Sequence, residues 1–149
     1  MGDLRDELKA EYTLLQGHLE SFDAKALTIK SWATPLLAGG VGFGVKEESL
    51  DFIAMVAVAA FSLWLLEAFW KSFQDCYVAR INLIEAWFVD PQSEPLVPFQ
   101  IYSAWRQAWQ QKMKYPRSIA KRFVQPFIVL PYLPILIACI YFLLTVTPK

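Results

Sequence analysis

An uncharged run of 23 residues, Val124 to Val146 (VQPFIVLPYLPILIACIYFLLTV), constrains this chain more than any other feature. A helix needs roughly 20 apolar residues to cross about 30 Å of hydrocarbon, so the run predicts a transmembrane helix. Pro126, Pro131 and Pro134 remove three backbone donors and bend it. Lipid tolerates that only where neighbouring groups satisfy the freed carbonyls, so one side of the helix is expected to pack against protein. The composition agrees: 56% of the 149 residues are hydrophobic and 19% charged, with a mean hydropathy of +0.32. That is too apolar for an ordinary soluble domain.

A second span is read from Phe52 to Trp70, residues 52–70, apolar except for Ser62 and Glu67, with Trp64 and Trp70 placed for an interfacial belt. The first span, residues 26–45, contains Lys30, whose stem can carry its ammonium to the headgroups, and Pro35, which kinks it. Only Lys46 to Asp51 separate the two spans, a connection that forces an antiparallel hairpin. Arg5, Lys9, Lys25 and Lys30 lie before or in the opening turns of the first span and eight Lys or Arg lie between the second and third. The hairpin loop has Lys46 alone and the C-terminus Lys149 alone. Because Lys and Arg resist translocation, the N-terminus and residues 71–122 are expected inside and the loop and C-terminus outside. The fold expected is therefore an all-α, multi-pass inner-membrane protein with three transmembrane helices, N-in and C-out, forming a single membrane domain over 1–149. The first 25 residues hold six acids and no apolar run, which argues against a cleavable signal peptide and for insertion by internal segments.

The cytoplasmic parts read as helical. Leu8, Tyr12, Leu15, Leu19 and Phe22 recur at spacings of four and three within an amphipathic helix over 3–25. This seam fits packing on the protein's own helices or a short self-associating coiled coil. KSFQDCYVARINLIEAWF, following the second span, has no Gly or Pro and keeps apolar residues in helical phase, so one helix of about 37 residues is expected from Phe52 to Phe88, roughly 55 Å long. DPQSEPLVP, Asp90 to Pro98, ends it. Glu67 to Lys71 and Lys71 to Asp75 are i,i+4 pairs on this helix.

After Glu94 there are no acids, while Arg106, Lys112, Lys114, Arg117, Lys121 and Arg122 precede the third span. Ile101, Trp105, Trp109 and Met113 lie beneath them at i,i+4 spacing. Trp105 and Trp109 with these six bases form a candidate membrane-surface or partner contact, suited to the plane of an anionic inner leaflet. The competing reading makes the tryptophans a packed core and the bases topology signals. Nucleic acid is disfavoured because no nucleic-acid-binding fold is recognisable. Residues 1–25 carry a net −3 and residues 95–122 a net +6, so the acidic helix is expected to dock on the basic segment of its own or an adjacent subunit.

Chemistry is sparse. A single histidine, His18, excludes a His cluster, and Cys76 and Cys139 have no ligand spacing, so no metal or cofactor is expected. His18, Ser21 and Asp23 are common residues close in sequence with no scaffold to fix them as a triad. GGVGFG, Gly39 to Gly44, lies within an apolar span and lacks the lysine of a P-loop. Its Gly40 and Gly44 form a GxxxG pair, serving close packing on the second span, a subunit interface or a pore-lining hinge. With the kinking prolines Pro131 and Pro134 and the intramembrane Glu67, they are the candidate packing or pore residues. Glu67 reads as an ion pair with Lys71 or as part of an ion path. The chain is not expected to be an enzyme.

EYTLLQGHLESFDAKALTIKSW, the glycine-rich first span, the KEESLD loop and WLLEAFWKSFQDCYVARINLIEAWF together resemble small bacterial membrane proteins encoded with defence systems, of the SLATT-like accessory and effector type. The resemblance covers residues 10–90 and implies an oligomeric, pore-forming membrane module that is controlled by or recruits a cytosolic partner. Two functions follow as expectations. One is a homo-oligomeric, channel-like inner-membrane effector or defence accessory that perturbs the membrane on a cytosolic signal. The other is a non-transporting scaffold that anchors a cytosolic enzyme or nucleoprotein complex. The lipid bilayer, with its anionic lipids, is a partner in both.

Overall fold

The computed structural model describes residues 3–91, 95–115 and 117–145, with the side chain of residue 118 excluded. All regular structure among them is helical: α1 (Leu4–Lys46), α2 (Leu50–Val89), α3 (Ile101–Lys114), α4 (Arg117–Phe123), α5 (Pro126–Val129) and α6 (Tyr132–Thr145). Asp3 opens α1 by accepting the Arg5 N–H on its carboxylate at 3.3 Å, with Asp6 and Glu7 in the first turn where the helix dipole favours acids. α1 then continues through Pro35 without a break.

The chain reverses at residues 47–49. Ser49 N–H returns to the Gly44 carbonyl at 3.0 Å and Glu48 N–H to that of Val45 at 3.2 Å, while Glu48 adopts φ 50°. This is the six-to-one closure that usually recruits glycine to the left-handed position. Ser49 then caps α2, accepting the Phe52 N–H on its hydroxyl at 3.4 Å. α2 is 40 residues long, close to the sequence expectation, and ends where Pro91 follows Asp90.

The run expected as one bent helix is interrupted. α5 lasts four residues and closes at Leu130, whose ψ of 131° is extended, as required of a residue preceding proline. The Leu130–Pro131 peptide is cis. α6 restarts at Tyr132 with Pro134 in its first turn, where a missing N–H breaks no helical bond. Its 14 residues span about 21 Å; Val146 lies outside the described residues. Among the described residues one helix, α2, is long and apolar enough to cross a membrane. Its most apolar window has a mean hydropathy of 2.1 and is 28% buried.

The residues gather into two compact units. Residues 1–24 and 70–119 form the first, residues 25–69 and 120–149 the second. The first unit is centred on Leu8, Leu15, Ile81 and Ile84, with Tyr12, Leu19, Tyr77 and Ile101 packed around them. The second is centred on Leu37, Ile53, Val56, Ala60, Tyr132, Ile135 and Cys139.

Candidate functional site

In the second unit the two glycines of the GxxxG pair mark where α1 and α2 touch. A Cβ on Gly44 would lie 2.7 Å from Ile53 Cγ1, and one on Gly40 would lie 2.9 Å from Val56 Cγ2. Their role within the chain is thus close packing on α2. Gly39 and Gly42, by contrast, face open space.

Lys30 and Glu67 meet one another. Lys30 Nζ lies 2.7 Å from Glu67 Oε1, donates to the Phe127 carbonyl, and sits 4.2 Å from the centroid of the Phe127 ring. The pair is oriented as a charge contact rather than as an aligned hydrogen bond, since neither Glu67 oxygen has a hydrogen-bond partner that satisfies ordinary geometry. The sequence expectations that Lys30 snorkels and that Glu67 pairs with Lys71 are corrected: in a hairpin the neighbouring helix offers a closer partner than the next turn does. Trp64 donates its indole N–H to the Phe123 carbonyl at 3.2 Å, which ties α2 to the end of α4.

Large apolar side chains of this unit are exposed on α1, α2, α5 and α6. Trp32 is 70% exposed, Leu36 71%, Val58 66% and Leu144 80%, with Phe43, Phe61 and Ile137 also exposed. The stretches 31–45, 52–66 and 123–148 contain no charged residue.

In the first unit Glu11, fully buried, accepts from Arg80 Nε at 2.7 Å and from Arg80 Nη2 at 3.0 Å. Arg80 Nη2 also donates to the Val97 carbonyl at 2.7 Å, and the Phe99 N–H donates to Glu11 Oε2 at 2.8 Å. A bidentate buried pair thereby pins the segment before α3, where Phe99 takes φ 59°. Sequence reasoning counted Glu11 among the acids of residues 1–25 expected to dock on the basic segment and missed this node. The only available signal was Arg80 within an otherwise apolar helical phase.

Two further pairs follow the same cross-helix rule. Lys71 donates to Asp23, and Gln74 donates to the same carboxylate at 2.9 Å. Lys112 lies 2.5 Å from Asp75 Oδ2 and donates to the Ser72 carbonyl at 3.3 Å. Burial would raise the Asp23 carboxyl, but hydrogen bonds from Lys71 and Gln74 and the Lys71 charge outweigh it and hold the group below the ordinary range. Burial pushes the Cys76 thiol up, with Asp75 adding to that and Lys112 opposing it. Within the chain, Glu11 and Asp23 of α1 pair with α2, and Lys112 of α3 pairs with α2, in place of direct docking of α1 on the basic segment of its own subunit.

Trp105 and Trp109 pack on α2. Trp109 lies 4.5 Å and Trp105 5.9 Å from the Phe73 ring, and Trp105 donates its indole N–H to the Phe73 carbonyl at 3.2 Å. With Ile101 against the Ile81 and Ile84 cluster and Lys112 at Ser72, α3 runs antiparallel along α2. Of the two readings of the tryptophan stripe, this is packing on protein: Trp105 and Trp109 are half-buried against the aromatic rings of α2. Arg106, Lys114 and Arg117 are exposed on this unit. On the second unit Lys121 is exposed, and Arg122 donates to Gln125 Oε1 at 2.9 Å. Pro131 separates α5 from α6 and Pro134 sits at the start of α6.

His18 lies 6.1 Å from the Tyr77 ring, and Asp23 is engaged by Lys71 and Gln74, so these residues are not arranged as a relay. Among the described residues no group of three or more His, Cys, Asp or Glu is placed to hold a metal ion. Comparison with protein-family models, curated proteins and solved structures finds no match to this chain.

Proposed function

We propose that this chain is a non-transporting inner-membrane scaffold. Its second unit sits in the bilayer through residues 26–45, 52–70 and 124–146, N-in and C-out, and its first unit presents a cytoplasmic three-helix surface to a protein partner. The observation that carries this reading is the exposure pattern of the second unit: large apolar side chains are exposed on α1, α2, α5 and α6, while Lys30 and Glu67 turn inward on one another and Gly40 and Gly44 pack on α2. Lipid is the solvent that suits such a surface. A soluble core helix would be mostly buried, whereas the apolar window of α2 is 28% buried.

The same inward arrangement favours anchoring over conduction. The polar groups a pore needs are engaged by the Lys30–Glu67 contact, and Gly40 and Gly44 are filled by Val56 and Ile53. On the cytoplasmic unit the exposed cations Arg106, Lys114 and Arg117, on a segment without acids, suit an acidic protein surface.

A channel-like homo-oligomer, as the SLATT-like resemblance implies, is the second reading. It is favoured by Gly39 and Gly42, which leave open space on α1 for a neighbouring copy. Native mass of the gently cross-linked, detergent-extracted protein, paired with dye release from proteoliposomes, separates the two. The scaffold reading expects a monomer or dimer and no release. A closed assembly of four or more copies that releases dye establishes the channel-like reading instead.

A further inference from the structure

We propose that the first unit carries a binding cleft for a small aromatic anion, between the opening turns of α1 and the closing turns of α2. The cleft has a volume of about 440 Å³ and is lined by Arg5, Lys9, Tyr12, Thr13, Glu85 and Phe88. That volume falls in the range of roughly 300–1,000 Å³ typical of small-molecule sites. Nothing in the scaffold reading uses these residues together, and the proposal stands apart from the topology of the chain.

The residues divide the work by chemistry. Arg5 and Lys9 are one helical turn apart on α1 and both line the cleft. Neither enters an ion pair among the described residues. Arg5 holds its guanidinium 5.8 Å from the Phe88 centroid, so a cation and an aromatic ring border the same part of the cleft. On the other side Tyr12 donates to Glu85 Oε1 at 3.0 Å, which orients the carboxylate and leaves Oε2 as an acceptor. Thr13 spends its hydroxyl proton on the Lys9 carbonyl at 3.0 Å, so its oxygen adds no donor.

An occupant that satisfies all of these groups has a phosphate or carboxylate for Arg5 and Lys9 and a flat apolar ring for Phe88. A hydroxyl or amine on it would donate to Glu85. An inorganic ion satisfies only the cations, and a neutral ring only Phe88. The anion would draw much of its affinity from two charge-assisted contacts in a cleft open to solvent.

The test is titration calorimetry on the full chain in neutral detergent, with phenyl phosphate as the probe and inorganic phosphate and benzyl alcohol as controls. Saturable binding of phenyl phosphate at least tenfold tighter than either control is expected. Lys9→Gln and Arg5→Gln should each weaken it fivefold or more, Phe88→Leu should weaken phenyl phosphate but not inorganic phosphate, and Lys25→Gln, at an exposed position away from the cleft, should leave phenyl phosphate binding unchanged. Lys9 is exposed, so its substitution leaves the fold intact, which unchanged helicity and melting temperature would verify. Absence of saturable binding overturns the proposal. So does equal affinity for inorganic phosphate, or an unaltered constant in Lys9→Gln. Displacement of the probe by phosphatidylglycerol added to the micelles would assign the cations to a lipid headgroup and overturn it too.

Discussion

Glu11 and Arg80 lose nearly all contact with water, and desolvating two charges costs several kcal/mol per ion unless every lone pair and proton finds a partner. Here the carboxylate takes three donors, two from Arg80 and one from the Phe99 backbone. Glu11→Leu leaves a buried guanidinium without its counter-charge, so a loss of about 3–5 kcal/mol in unfolding stability is expected from denaturant titration of the detergent-solubilised protein. Glu7→Leu, at an exposed position of the same helix, should change it by less than about 0.5 kcal/mol. The sequence could not distinguish the two glutamates, since the partner of Glu11 lies 69 residues away.

Asp23 makes a prediction with a definite sign. Its folded pKa is depressed, so its contribution is present above the unfolded carboxylate value of about 3.9 and fades as pH falls through the lower folded value. Melting temperature followed from pH 6 down to pH 2 should fall less steeply in Asp23→Asn than in the parent. An unchanged slope would mean that Lys71 and Gln74 do not hold the charge.

At the scale of elements, spacing made the long helices legible. Apolar phase marked α2 to within two residues at its start and one at its end, and the GxxxG interval located the approach of α1 to α2. Gly44→Ala places a methyl 2.7 Å from Ile53 Cγ1, so a loss of about 1–3 kcal/mol is expected, as for other overpacked sites. Gly42→Ala meets open space and should be neutral or stabilising by up to about 1 kcal/mol. Thermal unfolding of the two variants side by side checks the difference.

What spacing did not decide was which surface covers a helix. The Trp105 and Trp109 stripe looks the same whether it faces lipid or Phe73, because an amphipathic pattern records only that one side avoids water. Since these rings rest on α2, Trp109→Ala should destabilise the protein in a lipid-free neutral detergent by about 1–3 kcal/mol. That is less than the roughly 3–5 kcal/mol of a fully buried tryptophan. No loss there would return the stripe to the membrane surface. The break at Pro131 was likewise only half legible: the proline announces a disturbance, but whether the helix bends or restarts depends on how α5 and α6 pack within their unit.

For the whole molecule, charge placement and apolar exposure point to one arrangement. The uncharged stretches of the second unit carry large apolar side chains on their exposed faces, and Glu67 is matched by Lys30 from the facing helix. Sequence established the apolar segments and the bias of Lys and Arg. It did not reveal that the small and polar groups inside them are occupied by their own neighbours, because those pairings form only once α1 and α2 fold back on each other.

The measurement that tests the central claim most directly is labelling of single cysteines by a membrane-impermeant maleimide, in intact and in lysed cells, on a background with Cys76 and Cys139 replaced by Ala. The account predicts that Glu48→Cys and Thr145→Cys label in intact cells, and that Glu7→Cys and Lys114→Cys label only after lysis. Labelling of all four positions without a membrane barrier, or of positions 7 and 114 from outside, would contradict it.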